Sequence, residues 1–323
     1  MNTDIYIVNI DSKFKNPIYT NSADFIYTFL EPLKNIISIK LSSIEFPNLY
    51  YTFSSKKKNN FFNIIYNNNT YTIHIKDGIY SADSLIDSIQ HEFCHLNKKL
   101  QTHFKIFYND TTYKVTIQNN CTFEIDFRNK DTKCLCLGYY LGYRQLTYDH
   151  PEIEHKEYNY VSESIIDSQG ESYFFIKIND YNNLIQDYTT FSSDGIKYSI
   201  YQDTKKYFAK ILLNGPKMST IFDTGANFLY KTYNMRQPEN ISKLNIQLFD
   251  SAGYIIDLLQ FNYSLTLEIK YVISSGVKQA IENAPTDIMN TDVESCESNN
   301  ITYFDEQTKP RKPKNKYGFN YIQ

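Results

Sequence analysis

The chain has 323 residues, and its 36 acidic and 33 basic side chains give a formal net charge of −3 at pH 7. This balance argues against a dedicated nucleic-acid coat, which needs an excess of basic residues. No stretch reaches the roughly 18 consecutive apolar residues of a membrane-spanning helix, and the five scattered cysteines are expected to be reduced thiols in a cytoplasmic setting.

Alternation of apolar and polar residues recurs along the chain and predicts half-buried β-strands. The clearest run is Tyr263–Tyr271, where the apolar residues occupy the odd positions. Between Ile37 and Phe46 the alternation changes phase after Ser43, which predicts a β-bulge. Roughly ten such strands, separated by turn-forming residues, predict an all-β sandwich or barrel. The other predicted strands are Ile5–Ile10, Phe25–Leu30, Tyr71–Ile75, Phe104–Tyr108, Tyr113–Ile117, Phe123–Phe127, Tyr173–Ile178 and Leu244–Phe249.

Two stretches have helical periodicity instead. Ser81 is a suitable N-cap for the first helix, and a second, shorter helix is predicted around residues 135–143. We expect both to be surface connections on the β framework. The apolar stripe of the first helix consists of Leu85, Ile86, Ile89, Phe93 and Leu96.

The character of the sequence changes from about Val277. Only acidic charges occur between Glu282 and Glu306, and a basic block of Lys309–Lys316 follows, with aromatic residues after it. We therefore predict an ordered domain over residues 1–275 and a charged tail over residues 276–323. Such a tail either folds against a partner or is an inert linker.

The segment His91-Glu92-Phe93-Cys94-His95 matches the H-E-x-x-H pattern of zinc proteases. In those enzymes two histidines on one helix face bind zinc, and the glutamate acts as a base. Here the apolar stripe directs His91 and His95 towards solvent, and Gln101 stands where the metzincin pattern needs a third histidine. We expect exposed polar residues and keep a zinc protease with His91, Glu92 and His95 as an alternative.

The segment Asp223-Thr224-Gly225-Ala226 matches the D-T-G-A loop of aspartic proteases. Those enzymes need two aspartates that share a proton, and the sequence supplies only this one copy. We therefore expect a turn at Asp223 and keep an aspartic protease as a second form of the enzyme alternative.

Cys121, Cys134 and Cys136 lack the C-x₂-C spacing of a zinc knuckle and have no fourth ligand nearby in the sequence, so we expect buried or idle thiols. Lys56–Lys58 is predicted to be a solvated loop. The sequence accordingly assigns no catalytic, cofactor-binding or metal-binding residue.

The order of several segments carries a resemblance. The strand Ile5–Ile10 is followed by residues 25–51, which contain Glu31-Pro32-Leu33 and Glu45-Phe46-Pro47-Asn48. The segments Tyr71–Tyr80, Leu137–Tyr143 and Tyr173–Tyr181 follow. Over residues 4–272 this sequence resembles the penton and minor capsid jelly-roll proteins of nucleocytoplasmic large DNA viruses, the giant viruses.

The resemblance implies an antiparallel jelly-roll sandwich with an insertion, for which residues 137–206 are the candidate. It also implies a structural virion protein that is not an enzyme and has no cofactor. Its partners would be the major capsid protein, other minor capsid proteins and further copies of itself, with a pentamer favoured. It would bind no specific nucleic acid and would lie near an internal membrane without spanning it. Its expected locations are the virion and, during assembly, the viral factory in the host cytoplasm.

Composition points the same way. With 30 Tyr and 22 Phe, the chain has more aromatic residues than one core requires, and such residues are typical of protein interfaces.

Overall fold

The structure is a computed structural model, and it describes residues 2–128, 135–154, 156–192, 199–223 and 231–273. Its strands pair antiparallel, so the all-β antiparallel fold predicted from the sequence is confirmed. The strands are β1 (Thr3–Asp11), β2 (Asp24–Pro47), β3 (Phe61–Tyr66), β4 (Asn69–His74), β5 (Lys105–Tyr108), β6 (Lys114–Asn119), β7 (Glu124–Asp126), β8 (Thr147–Tyr148), β9 (Glu152–Glu154), β10 (Glu157–Ile165), β11 (Tyr173–Ile178), β12 (Leu184–Ser192), β13 (Ser199–Tyr207), β14 (Ala209–Leu212), β15 (Thr220–Asp223), β16 (Thr232–Phe249) and β17 (Ser264–Val272). The α-helices are α1 (Ala82–Leu100) and α2 (Leu137–Tyr140), and a short 3₁₀ helix covers Ser12–Phe14.

The first and the last of the described strands lie side by side in the first sheet of the sandwich. β1 pairs along its whole length with β17, so that Thr3 lies opposite Val272 and Asp11 lies opposite Ser264. β17 pairs on its other side with the second half of β2, which in turn pairs with β15 and the start of β16. Among the described residues, β1 is therefore the outer strand on one side of this sheet, and β15 and the start of β16 lie at its other side.

The second sheet consists of the first half of β2, the second half of β16, β11 and β14, in that order. β2 and β16 run through both sheets, because their pairing is irregular between Asn234 and Lys243 and because Asn35 adopts a left-handed φ of 55°. Two four-stranded sheets with this strand order form a jelly roll. The predicted jelly roll is confirmed.

Side chains between the two sheets form the first hydrophobic core. The bulge predicted after Ser43 is present, because Thr266 of β17 pairs with Ser43 whereas Leu267 pairs with Leu41. The extra residue in β2 lets both Leu41 and Ile44 point into the core. The change of phase in the sequence therefore marks a bulge, and the apolar side chains before and after that bulge face the same core.

The connection from β2 to β11 contains a second hydrophobic core. It is built from β3–β10 and both helices, with sheets of order β5-β6-β10-β9 and β4-β3-β7-β8. Helix α1 begins at a capping box of Ser81 and Ser84, and its predicted apolar stripe is buried. Asn97 ties the end of α1 to the next strand, because its side chain hydrogen-bonds the backbone N–H and C=O of Phe104 at 2.7 and 2.8 Å.

The insertion predicted from the sequence, residues 137–206, stays a prediction. The second core already begins at Phe53 and ends at Ile166, and the hairpin of β12 and β13 lies in the later connection between β11 and β14. The tail of residues 276–323 lies outside the described residues. The division into a domain of residues 1–275 and a tail stays a prediction.

Candidate functional site

The two histidines of the H-E-x-x-H segment lie on the exposed face of α1. Their ring centroids are 4.6 Å apart, and the His91 side chain is 70% exposed, with its Nδ1 3.6 Å from Oε1 of Glu92. Phe93, between them in sequence, is completely buried. The predicted orientation of His91 and His95 is confirmed. Among the described residues, no group of three or more His, Cys, Asp or Glu side chains is arranged to hold a metal ion.

Asp223 ends β15 and lies in the interior of the protein. Its carboxylate forms an ion pair with the ammonium group of Lys231, and both side chains are only 5% exposed. In an aspartic protease the partner of the catalytic carboxylate is a second carboxyl group that shares its proton, whereas here it is a lysine. The rest of the predicted turn, Thr224 to Ala226, lies outside the described residues.

The remaining candidates from the sequence are the cysteines and the Lys56–Lys58 segment. Cys121 and Cys136 are partly buried free thiols, burial raises the pKa of Cys136, and Cys134 lies outside the described residues. The prediction of a solvated Lys56–Lys58 loop is wrong for Lys57, whose Nζ lies 2.9 Å from the buried Oδ2 of Asp250. A long-range ion pair of this kind has no local sequence signal.

Lys57 and Asp250 belong to a polar cluster near the point where the chain leaves β2. Nζ of Lys217 lies 3.4 Å from the centroid of the Tyr50 ring, a cation–π contact. The backbone N–H of Glu171 donates to the Tyr50 hydroxyl at 2.8 Å. The five residues come from distant segments and form no motif, so sequence reasoning did not predict the cluster.

Burial changes the acidity of two groups in this cluster. It raises the pKa of the Glu171 carboxyl, and the charge of Asp250 adds to that shift. It lowers the pKa of Lys217 to about 8, where the charge of Lys57 adds to the shift and that of Glu171 opposes it. Charges buried in this way are costly unless they are paired with opposite charges.

Exposed apolar side chains occur on both outer strands of the first sheet. Ile5 and Ile7 of β1 are 52% and 65% exposed, and Phe222 of β15 is 64% exposed. Val8 and Ile10 of β1 are buried in the core, so Ile5 and Ile7 face outwards from the sandwich. Apolar side chains on an unpaired strand edge are typical of surfaces that contact another chain.

A groove of about 580 Å³ lies between the end of β1 and the first half of β2. The residues that line it include Asn9, Asp11, Phe14, Phe25 and Tyr27. Phe14 is 80% exposed. The edge of β1 and this groove form the candidate assembly surface. The sequence indicated interfaces through its aromatic content, but it did not locate them.

The chain can be compared with known proteins. No protein-family model matches its sequence, and a search of curated proteins found no match. The structure of the mavirus penton protein is similar with a TM-score of 0.44 and 10% sequence identity, over 83% of this chain and 100% of that chain. A chain from the Sputnik virophage structure is similar with a TM-score of 0.38 and 11% identity, over 84% of this chain and 98% of that chain. Neither described helix is long and apolar enough to cross a lipid bilayer.

Proposed function

We propose that this chain is a structural virion protein of a large DNA virus, either a penton protein at the fivefold vertex or a minor capsid protein. The observation that carries the proposal is the jelly roll with two outer strands that present apolar side chains to the outside. The sequence resemblance to capsid jelly-roll proteins covers the same residues. The protein acts through protein–protein contacts and not as an enzyme.

The position of the apolar edges supports assembly into a ring. Ile7 on β1 and Phe222 on β15 lie on opposite edges of one sheet. Two different surfaces on opposite sides of a subunit suit heterologous contacts, in which each copy meets the next one in the same way. Such contacts close into a ring when the rotation between neighbours allows it, and a pentamer fits a fivefold vertex.

The partners are other copies of this chain, the major capsid protein and other minor capsid proteins. The protein is located in the virion and, before that, in the cytoplasmic viral factory, where it lies near an internal membrane without spanning it. It binds no specific nucleic acid. The tail of residues 276–323 contacts a neighbouring subunit, and its acidic and basic blocks set the register of that contact.

The test is a mass measurement of the purified full chain by native mass spectrometry and analytical ultracentrifugation. We expect a closed oligomer with five copies, together with co-sedimentation with the major capsid protein. The same sample is assayed for peptide cleavage at acidic and neutral pH, with and without added zinc. A strictly monomeric protein that cleaves peptides, and loses that activity when Asp223 or His91 is changed, would refute the proposal.

A further inference from the structure

β1 has an unpaired edge that is open to another strand. Within the part of the chain that the structure describes, β1 pairs only with β17, and the backbone groups on its other side bond to no strand. One of them, the N–H of Ile5, donates to Oδ1 of the neighbouring Asp4 at 2.8 Å. An exposed edge of this kind is a template for an added strand. The edge is nine residues long, which is more than enough for a short peptide.

The side chains of this edge favour strand addition. Natural sheets protect outer strands with charged side chains, above all lysine, or with proline. β1 contains no lysine or proline, and its charged residues, Asp4 and Asp11, lie near its two ends. Ile5 and Ile7 instead leave exposed apolar surface at the edge. An aromatic side chain placed beside such β-branched residues on an added strand contributes favourable cross-strand contacts.

The sequence of the chain contains a segment suited to this edge. In residues 317–322 the aromatic residues Tyr317, Phe319 and Tyr321 alternate with other residues, so an extended backbone would place all three rings on one face. Tyrosine and phenylalanine are also among the residues with the highest preference for strands. The segment therefore has the pattern of a strand with one apolar face.

The length of chain before this segment is sufficient for it to reach a second copy. β17 ends at Val272 beside the start of β1, and a hairpin back to the same sheet needs only about 2–5 residues. The segment begins at Tyr317, and the intervening chain, at about 3.3 Å per residue, spans well over 100 Å when extended. That exceeds the roughly 40–50 Å width of a domain of this size.

We propose that residues 317–322 of one copy add as a strand to the edge of β1 in a neighbouring copy, with Tyr317, Phe319 and Tyr321 beside Ile5 and Ile7. This inference rests on the proposed function, since it names the contact through which copies of the chain are joined. The tail of each copy occupies the next copy, so the exchange repeats around the assembly.

Two variants of the full chain test the inference by complementation. The edge variant carries Ile5→Lys and Ile7→Lys, and the tail variant carries Tyr317→Ser, Phe319→Ser and Tyr321→Ser. Each variant alone is expected to self-associate at least tenfold more weakly than the original chain in sedimentation equilibrium. An equimolar mixture is expected to form 1:1 pairs, because the intact tail of one variant fits the intact edge of the other.

The matched control carries Ile153→Lys and Ile165→Lys. These isoleucines are 70% and 56% exposed on β9 and β10, and β9 is also an outer strand. The control is expected to associate like the original chain. If circular dichroism shows that the edge variant does not fold, a synthetic peptide of residues 309–323 is used instead. An excess of this peptide is expected to dissociate the original oligomer.

Three results would overturn the inference. If neither the variants nor the peptide weaken self-association, copies of the chain are not joined through this contact, and the proposed function still stands. Weakened association without recovery in the mixture would show that the tail acts within its own copy. A monomeric original chain would refute both the inference and the oligomer that the proposed function requires.

Discussion

The rings of Phe46 and Phe174 meet edge to face with their centroids 5.3 Å apart. Phe46 belongs to the second half of β2 and Phe174 to β11, so the contact joins the two facing sheets of the jelly roll. Phe174 also contacts the ring of Tyr50, with the two centroids 5.0 Å apart. Tyr50 belongs to the polar cluster described above. The Phe174 side chain thus links the core between the two sheets to the polar cluster.

Changing Phe174→Ala is therefore expected to lower the free energy of unfolding by about 3–5 kcal/mol, because a fully buried ring is replaced by a cavity. Urea denaturation followed by circular dichroism measures the change. The control is Phe261→Ala, a phenylalanine that is 52% exposed between β16 and β17, which should alter stability by no more than about 0.5 kcal/mol. Equal effects of the two changes would contradict the assignment of Phe174 to the inter-sheet core.

The elements that the sequence predicted well are those whose signal is local. The alternation over Tyr263–Tyr271 gave β17, the phase change after Ser43 gave the bulge in β2, and the stripe from Leu85 to Leu96 gave α1. The periodicity of a strand, however, reports which side chains share a face and not which strand lies beside it. The pairing of Thr3 with Val272 could not be read from either segment alone.

The same limit explains what the sequence missed at the candidate site. Residues 53–166 form a separate core, which accounts for much of the aromatic content that the sequence suggested was in excess of one core. The pairing of Lys57 with Asp250 joins residues far apart in the chain. The outer position of β1, on which the assembly surface depends, follows from sheet topology and has no composition signal of its own.

Replacing both His91 and His95 with alanine is expected to change the free energy of unfolding by no more than about 0.5 kcal/mol, because both side chains lie on the solvent face of α1. Thermal denaturation with and without zinc measures this, and zinc should not shift the melting temperature of either protein. Phe93→Ala on the buried face of the same helix is the positive control, with an expected loss of about 3–5 kcal/mol. A zinc-dependent melting temperature that disappears in the double variant would support the zinc-protease alternative.

Breaking the buried ion pair by Asp223→Ala is expected to cost about 3–5 kcal/mol, because it leaves the ammonium group of Lys231 buried without its charged partner. Changing both residues, Asp223→Leu with Lys231→Met, should recover most of that loss, since no uncompensated charge remains. The exposed pair of Lys40 and Glu268, 3.0 Å apart, supplies the control, and Lys40→Ala should cost less than about 1 kcal/mol. If Asp223→Ala were as mild as Lys40→Ala, the ion pair would have no structural role.

Lys217 is expected to make stability depend on pH in the alkaline range. Burial lowers its pKa from 10.5 to about 8, so between these values the folded protein holds the proton less tightly than the unfolded chain. Unfolding then takes up a proton, and the contribution of Lys217 to the free energy of unfolding rises with pH across this interval. Tyr50, Lys57, Glu171 and Asp250 are the polar groups that surround it.

The Lys217→Met variant isolates this contribution, because methionine keeps a long apolar side chain over the Tyr50 ring and carries no titrating group. Urea denaturation at several pH values from about 8 to 9.5, below the ordinary tyrosine pKa of about 10, compares the variant with the original chain. The original chain should gain stability relative to the variant as the pH rises. Lys98→Met, at an exposed position on α1, should leave the pH dependence unchanged. A Lys217→Met protein with the same pH profile as the original chain would mean that Lys217 keeps its ordinary acidity, and that the cluster does not exclude water from its ammonium group.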